Sequence, residues 1–156
     1  MTAERQLLLA KVRYNRLIDM FLGLTTYSLQ SHLRATAPGL GQVETDELYV
    51  GVAKSGQQFV IPVQAKGGSD QLGAVQIEQD LALCKHLFPE LIARPVAVQF
   101  KKDEQGEVIV MFDLARNDDD QICIREERHY RLVPAESITA ADFTEMARLS
   151  APRAAD

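Results

Sequence analysis

Two short stretches of this chain hold residues able to do chemistry together. In Glu44-Thr45-Asp46-Glu47-Leu48-Tyr49-Val50-Gly51, three carboxylates stand at the mouth of an apolar run. In Val63-Gln64-Ala65-Lys66-Gly67-Gly68, an amide and an ammonium lie two residues apart. Side chains alternate along an extended chain, so Gln64 and Lys66 share a face, and so do Glu44 and Asp46. If the two stretches pair as a hairpin, Asp46 or Glu47 comes close to Gln64 and Lys66. One patch then offers oxygen ligands and a positive charge, which is what hydrolysis of a phosphodiester needs. That bond resists attack because the phosphate is negative and the alkoxide leaves poorly. A hard divalent cation, Mg²⁺ or Mn²⁺, held on carboxylate oxygens offsets the charge and helps make hydroxide from water. A lysine beside it can orient that water and steady the charge that develops.

The elements that must position these groups follow from periodicity. Apolar residues recur at three- and four-residue steps from Leu7 to Val12 and again from Leu17 through Phe21, Tyr27 and Leu33. That spacing predicts N-terminal helices over residues 1–38, weakened at Gly23 and Thr25-Thr26 and closed by Pro38-Gly39. The period then falls to two. Leu48–Val52 reads as a strand, Lys54-Ser55-Gly56 as a turn, and Gln58–Lys66 as a second strand that Gly67-Gly68-Ser69-Asp70 stops. Pro62 lacks a ladder donor and is expected at an edge, a bulge or a strand end. An amphipathic helix over 74–88 precedes strands at 96–100 and 107–112, a further strand from Gln121 to Arg125, and an extended stretch over 131–133. Thr139 and Asp142 form the pattern of a capping box opening a last helix over 140–149, with 150–156 a mobile tail. The order predicts an α/β fold, one mixed β-sheet flanked by helices, in a single domain spanning 1–156.

At this point the sequence resembles the PD-(D/E)xK nuclease superfamily, in which an acid opens one strand of a hairpin and an acid-x-Lys ends the next. The resemblance covers residues 44–100 and implies a restriction endonuclease-like fold. It also implies metal-dependent endonuclease activity on DNA, in restriction, defence or repair. Carried over, Asp46 takes the first acidic position, with Glu47 the alternative. Gln64 takes the second acidic position and Lys66 that of the lysine. The Ala65 carbonyl becomes a further metal ligand, and Glu4 the extra helix acid of some members. Gln64 departs from the pattern, because a neutral amide removes one negative charge from the site. Either Glu44 or Glu47 compensates, or the domain binds nucleic acid or dimerises without cutting.

Each feature also has a plain reading. Acids before a strand are commonly a solvated loop, and Gln-x-Lys a wet face. Arg13 and Arg16, one helical turn apart, are candidates for nucleic-acid phosphates, though Asp19 explains Arg16 equally well. Gln76 and Asp80 share a helix face that could touch a phosphate or simply meet solvent. His32, His86 and His129 lack ligand spacing, and Asp118-Asp119-Asp120 reads as a turn. Cys84 and Cys123 read as buried thiols.

The net charge of −5 sits awkwardly with a polyanionic partner, although basic residues are clumped near the start, at Lys101-Lys102 and from Arg125 to Arg131. No apolar run is long enough for a membrane span and no signal peptide is evident, so the cytosol is the expected compartment. The helical pattern begins abruptly at residue 5, as it would in a C-terminal piece of a longer protein. Cutting both strands of DNA would suit a homodimer.

Overall fold

The computed structural model describes residues 2–67 and 73–152. Helix α1 (Ala3–Tyr14) starts where the Thr2 hydroxyl accepts the Arg5 N–H, and α2 (Leu17–Leu22) ends at Gly23, which adopts a left-handed φ of 67°. Seven strands then form a sheet: β1 (Thr25–Ala37), β2 (Gly41–Val52), β3 (Gln58–Lys66), β4 (Ile92–Ala93), β5 (Val96–Asp103), β6 (Gly106–Arg116) and β7 (Ile122–Tyr130). Helix α3 (Ala74–Leu87) follows β3. A single 3-10 turn (Ala135–Ser137) and α4 (Ala140–Ser150) close the chain. The sheet order is β1-β2-β3-β5-β6-β7, with β4 also beside β3. It is mixed: β3 runs parallel to β4 and β5, and the other neighbours are antiparallel. The expected α/β class, a mixed sheet flanked by helices, is what the chain adopts.

The sheet buries both faces. Leu8, Leu9 and Val12 of α1 and Ile18 and Phe21 of α2 cover one, packing on Tyr49, Ile61, Val63, Val98 and Met111. On the other, Leu83 and Cys84 of α3 pack against Leu33, Leu48 and Val60, and Ile77 against Ala97 and Val110. No helix among the described residues is long and apolar enough to cross a membrane.

Four expectations need correction. Residues 25–37 are a strand, not part of the N-terminal helices. Tyr27, Leu29 and Leu33 fit a two-residue step as well as a four-residue one, and β1 pairs with β2 along its length. Strand β2 begins at Gly41, so the three acids lie inside it and not in a loop before it. Pro62 sits in a central strand. The register that joins Val60 to Ala93 and Val63 to Val96 would set Pro62 opposite Pro95, so two residues without N–H groups face each other where the neighbouring strand is broken. Strand β7 runs on to Tyr130, whereas residues 131–133 join no strand. Helix α4 has the expected capping box and reaches Ser150. Gly68, Ser69 and Asp70, expected to stop β3, and residues 153–156 of the expected tail lie outside the described residues.

Candidate functional site

Strands β2 and β3 pair from Val52↔Gln58 down to Glu47↔Val63, and the ladder ends there. One residue further, the Asp46 carboxylate takes over: its Oδ2 accepts the Ala65 N–H at 2.8 Å. A main-chain carbonyl leaves a strand on the same edge as its own N–H, so the Ala65 carbonyl also faces Asp46. The other Asp46 oxygen has no partner among the described residues. The side chain borders a cavity of about 280 Å³ that Gln6, Leu9, Arg13, Ser31 and His32 also line.

Alternation along β2 slips at this point. Thr45 faces α3, where its hydroxyl reaches Asp80, whereas Glu47 faces α1, where Arg13 lies 3.3 Å away. Asp46 is the extra residue between them and joins the α1 side. Opposite it in β1 stands His32, whose left-handed φ of 56° marks the matching irregularity.

The expected site residues therefore divide. Gln64 and Lys66 do share a face, the one covered by α3. There the Gln64 amide donates to both oxygens of Asp80, at 3.1 and 2.8 Å, and lies 3.4 Å from the Glu44 carbonyl. Gln64 is thus a donor to a buried acid and does not offer its oxygen beside Asp46. Glu47 is fully buried on the opposite face. Ser28 and Tyr49 donate to it at 2.9 and 3.1 Å, and Ser31 at 3.4 Å. With Arg13 beside it, that carboxylate is already satisfied and neutralised, which removes it from the metal ligands. Glu44 turns to His32 and Arg34 at 3.1 and 3.4 Å, so it does not compensate for Gln64. Glu4 lines a different groove, with Leu7 and Phe100. What remains together is the Asp46 carboxylate and the Ala65 carbonyl; the half-buried Lys66, which forms no ion pair with a described residue, follows one residue along β3 with its side chain on the α3 face, away from the side that Asp46 joins.

The nucleic-acid candidates fare unevenly. Asp80 is fully buried and cannot touch a phosphate, a correction that follows from α3 packing that face on the sheet. Gln76 donates to the Glu44 carbonyl at 3.1 Å. Arg16 pairs with Asp19, and Arg13, half of it exposed, serves Glu47. Cys84 is buried, but Cys123 only partly.

Burial sets the protonation of this region. Desolvation pushes the Asp80 carboxyl up to about 6, against the pull of donors from Gln64, Thr45 and Gln76. Burial raises the Tyr49 phenol, and the charge and hydrogen bond of Glu47 raise it further. Among the described residues no group of three or more His, Cys, Asp or Glu side chains could hold a metal ion. A cation here would have one carboxylate, one carbonyl and water for its other ligands, a set compatible with Mg²⁺, which keeps several waters.

Sequence reasoning missed Ser28, Ser31 and His32, because it placed them on a helix. Tyr49 was legible as a partner of Glu47, since i and i+2 share a strand face. Comparison of the chain with family models, curated proteins and solved structures finds no match.

Proposed function

We propose that this domain hydrolyses nucleic acid phosphodiesters with a divalent cation bound where β2 and β3 part, in a restriction endonuclease-like arrangement. The observation that supports this reading is the Asp46 carboxylate on the Ala65 N–H, directly between Gln64 and Lys66 in sequence. The two strands stop pairing there, and hydrolysis requires the Lys66 side chain, which starts on the α3 face, to reach a phosphate held beside Asp46 on the α1 side.

The residue roles follow. Asp46 and the Ala65 carbonyl would hold Mg²⁺ or Mn²⁺, and the ion would acidify a water and screen the phosphate. Lys66, with no acid among the described residues to neutralise it, orients the attacking water and offsets charge on the non-bridging oxygens. Gln64 keeps Asp80 in place and thereby fixes the strand end that carries Lys66.

Plasmid cleavage in Mg²⁺ or Mn²⁺ tests the proposal. Asp46→Ala and Lys66→Ala should each lower the rate by about 10²-fold or more. Cutting unchanged by both substitutions removes this site.

A second reading is a nucleic-acid-binding module of the same architecture without catalysis. The employment of Glu47, Glu44 and Gln64 elsewhere favours it, because it leaves one acid for the cation. A salt-dependent gel shift without cleavage would select it.

A further inference from the structure

Glu47 takes no part in holding a cation, yet four side chains surround its carboxylate. Ser28, Tyr49 and Ser31 donate hydroxyls at 2.9, 3.1 and 3.4 Å, and an Arg13 nitrogen stands 3.3 Å away. The hydroxyls already meet most of what the carboxylate can accept. Arg13 is placed differently, with a side chain 44% exposed against 1% for Glu47. Its 3.3 Å approach is longer than the about 2.7–2.9 Å of a charge-assisted hydrogen bond. The guanidinium donates no hydrogen bond to a described residue, so its planar fork of donors is open. The side chain borders the cavity of about 280 Å³ beside Asp46, with Gln6 from its own helix and Ser31 and His32 from β1. It also borders a second cavity of about 270 Å³, which Arg16 and Ser28 line with it.

Given the hydrolysis proposed above, on which this rests, we propose that Arg13, aimed by Glu47, grips the non-bridging oxygens of the substrate phosphate beside Asp46. Two observations select Arg13. The first is place: it lines the Asp46 cavity on the α1 side, whereas Lys66 shares the α3 face with Gln64. The second is chemistry: an unused guanidinium fork matches two phosphate oxygens at once, which an ammonium does not. Three hydroxyls fix the Glu47 carboxylate, and its charge holds Arg13 from one side, so Glu47 is a positioning residue. Because Glu47 balances Arg13, the pair brings directed donors with little net charge. Asp46 is the one acid among the described residues that line the cavity, and it repels a phosphate until a cation sits on it. The cation therefore supplies the charge, and Arg13 takes the oxygens that the ion leaves free.

Two measurements on the full chain test this: steady-state plasmid cleavage in Mg²⁺, and fluorescence anisotropy of a labelled DNA oligonucleotide in Ca²⁺, which also takes oxygen ligands. Arg13→Lys keeps a charge beside Glu47 and loses the fork. It should raise KM and the oligonucleotide Kd by about tenfold or more. Arg13→Gln strands a buried carboxylate and can fail to fold, but Arg13→Gln/Glu47→Gln removes both charges and should fold. Glu47→Gln alone should raise KM, and in the double variant its effect should not add to that of Arg13→Gln. Affinity for Mn²⁺ should stay unchanged in Arg13→Lys. A double variant that folds with wild-type KM and Kd overturns the role of Arg13, while hydrolysis at Asp46 stands. So does an Arg13→Lys variant whose thermal midpoint falls while KM and Kd hold. A wild type that binds without cutting, with binding lost in Arg13→Lys, supports the grip and sinks the hydrolysis. A wild type that neither cuts nor binds overturns both.

Discussion

Two carboxylates are fully buried on opposite faces of the sheet, and their surroundings treat them differently. Glu47 has a guanidinium and three hydroxyls around it. Asp80 has only neutral donors, Gln64, Thr45 and Gln76, and desolvation dominates, raising it from 3.8 to about 6. The folded protein then binds a proton at Asp80 that the unfolded chain has already lost between those two pH values. Stability from this group is fully present below about 3.8 and is lost as pH rises to about 6, by about 3 kcal/mol in all. Urea unfolding across that window should show the decline in the wild type and a flatter profile in Asp80→Asn. Equal slopes in the two proteins would mean that Asp80 is charged in the fold throughout. The shared face of Gln64 and Lys66 was legible because alternation along a strand is strict. What Gln64 meets was not legible, since its partner comes from a helix 16 residues away.

The elements around the site owe their placement to β1, the one the sequence concealed. Its apolar residues suit a helical step until the left-handed turn at Gly23 and the β-branched pair Thr25-Thr26 are given weight. Pairing with β2 then decides in favour of a strand, and that brings Ser28, Ser31 and His32 to the acids. The β2–β3 hairpin and its turn at Gly56 were legible, because strand alternation and turn chemistry agree there. Packing of β1 on β2 is close at Gly51. A Cβ at that position would lie 2.7 Å from Thr26 Cγ2 and 3.3 Å from Ile61 Cδ1. Gly51→Ala should therefore lower the stability to urea by about 1–3 kcal/mol through overpacking. An unchanged midpoint would show that β1 withdraws without cost.

At the scale of the whole molecule, a mixed sheet covered by α1 and α2 on one side and α3 on the other leaves a gap in the pairing where β2 and β3 part beside the buried Asp46, and an unpacked helix, α4. The class of fold was legible from the order of periods. The gap was not, because it arises from a slip in alternation at Asp46 and an irregular His32 across from it, which no local pattern announces. The net charge of −5 places the burden of binding a polyanion on local charge, and among the described residues several basic groups are already paired, Arg116 with Glu78 and Arg131 with Asp103 among them. A bound cation would change that balance at the gap itself. The most direct measurement is anomalous diffraction from crystals soaked in Mn²⁺. A peak within about 2.5 Å of both an Asp46 oxygen and the Ala65 carbonyl, absent in Asp46→Ala, is the expected result. Saturating Mn²⁺ with no peak there, or with one on other residues alone, would contradict a cation at the strand split and the hydrolysis that depends on it.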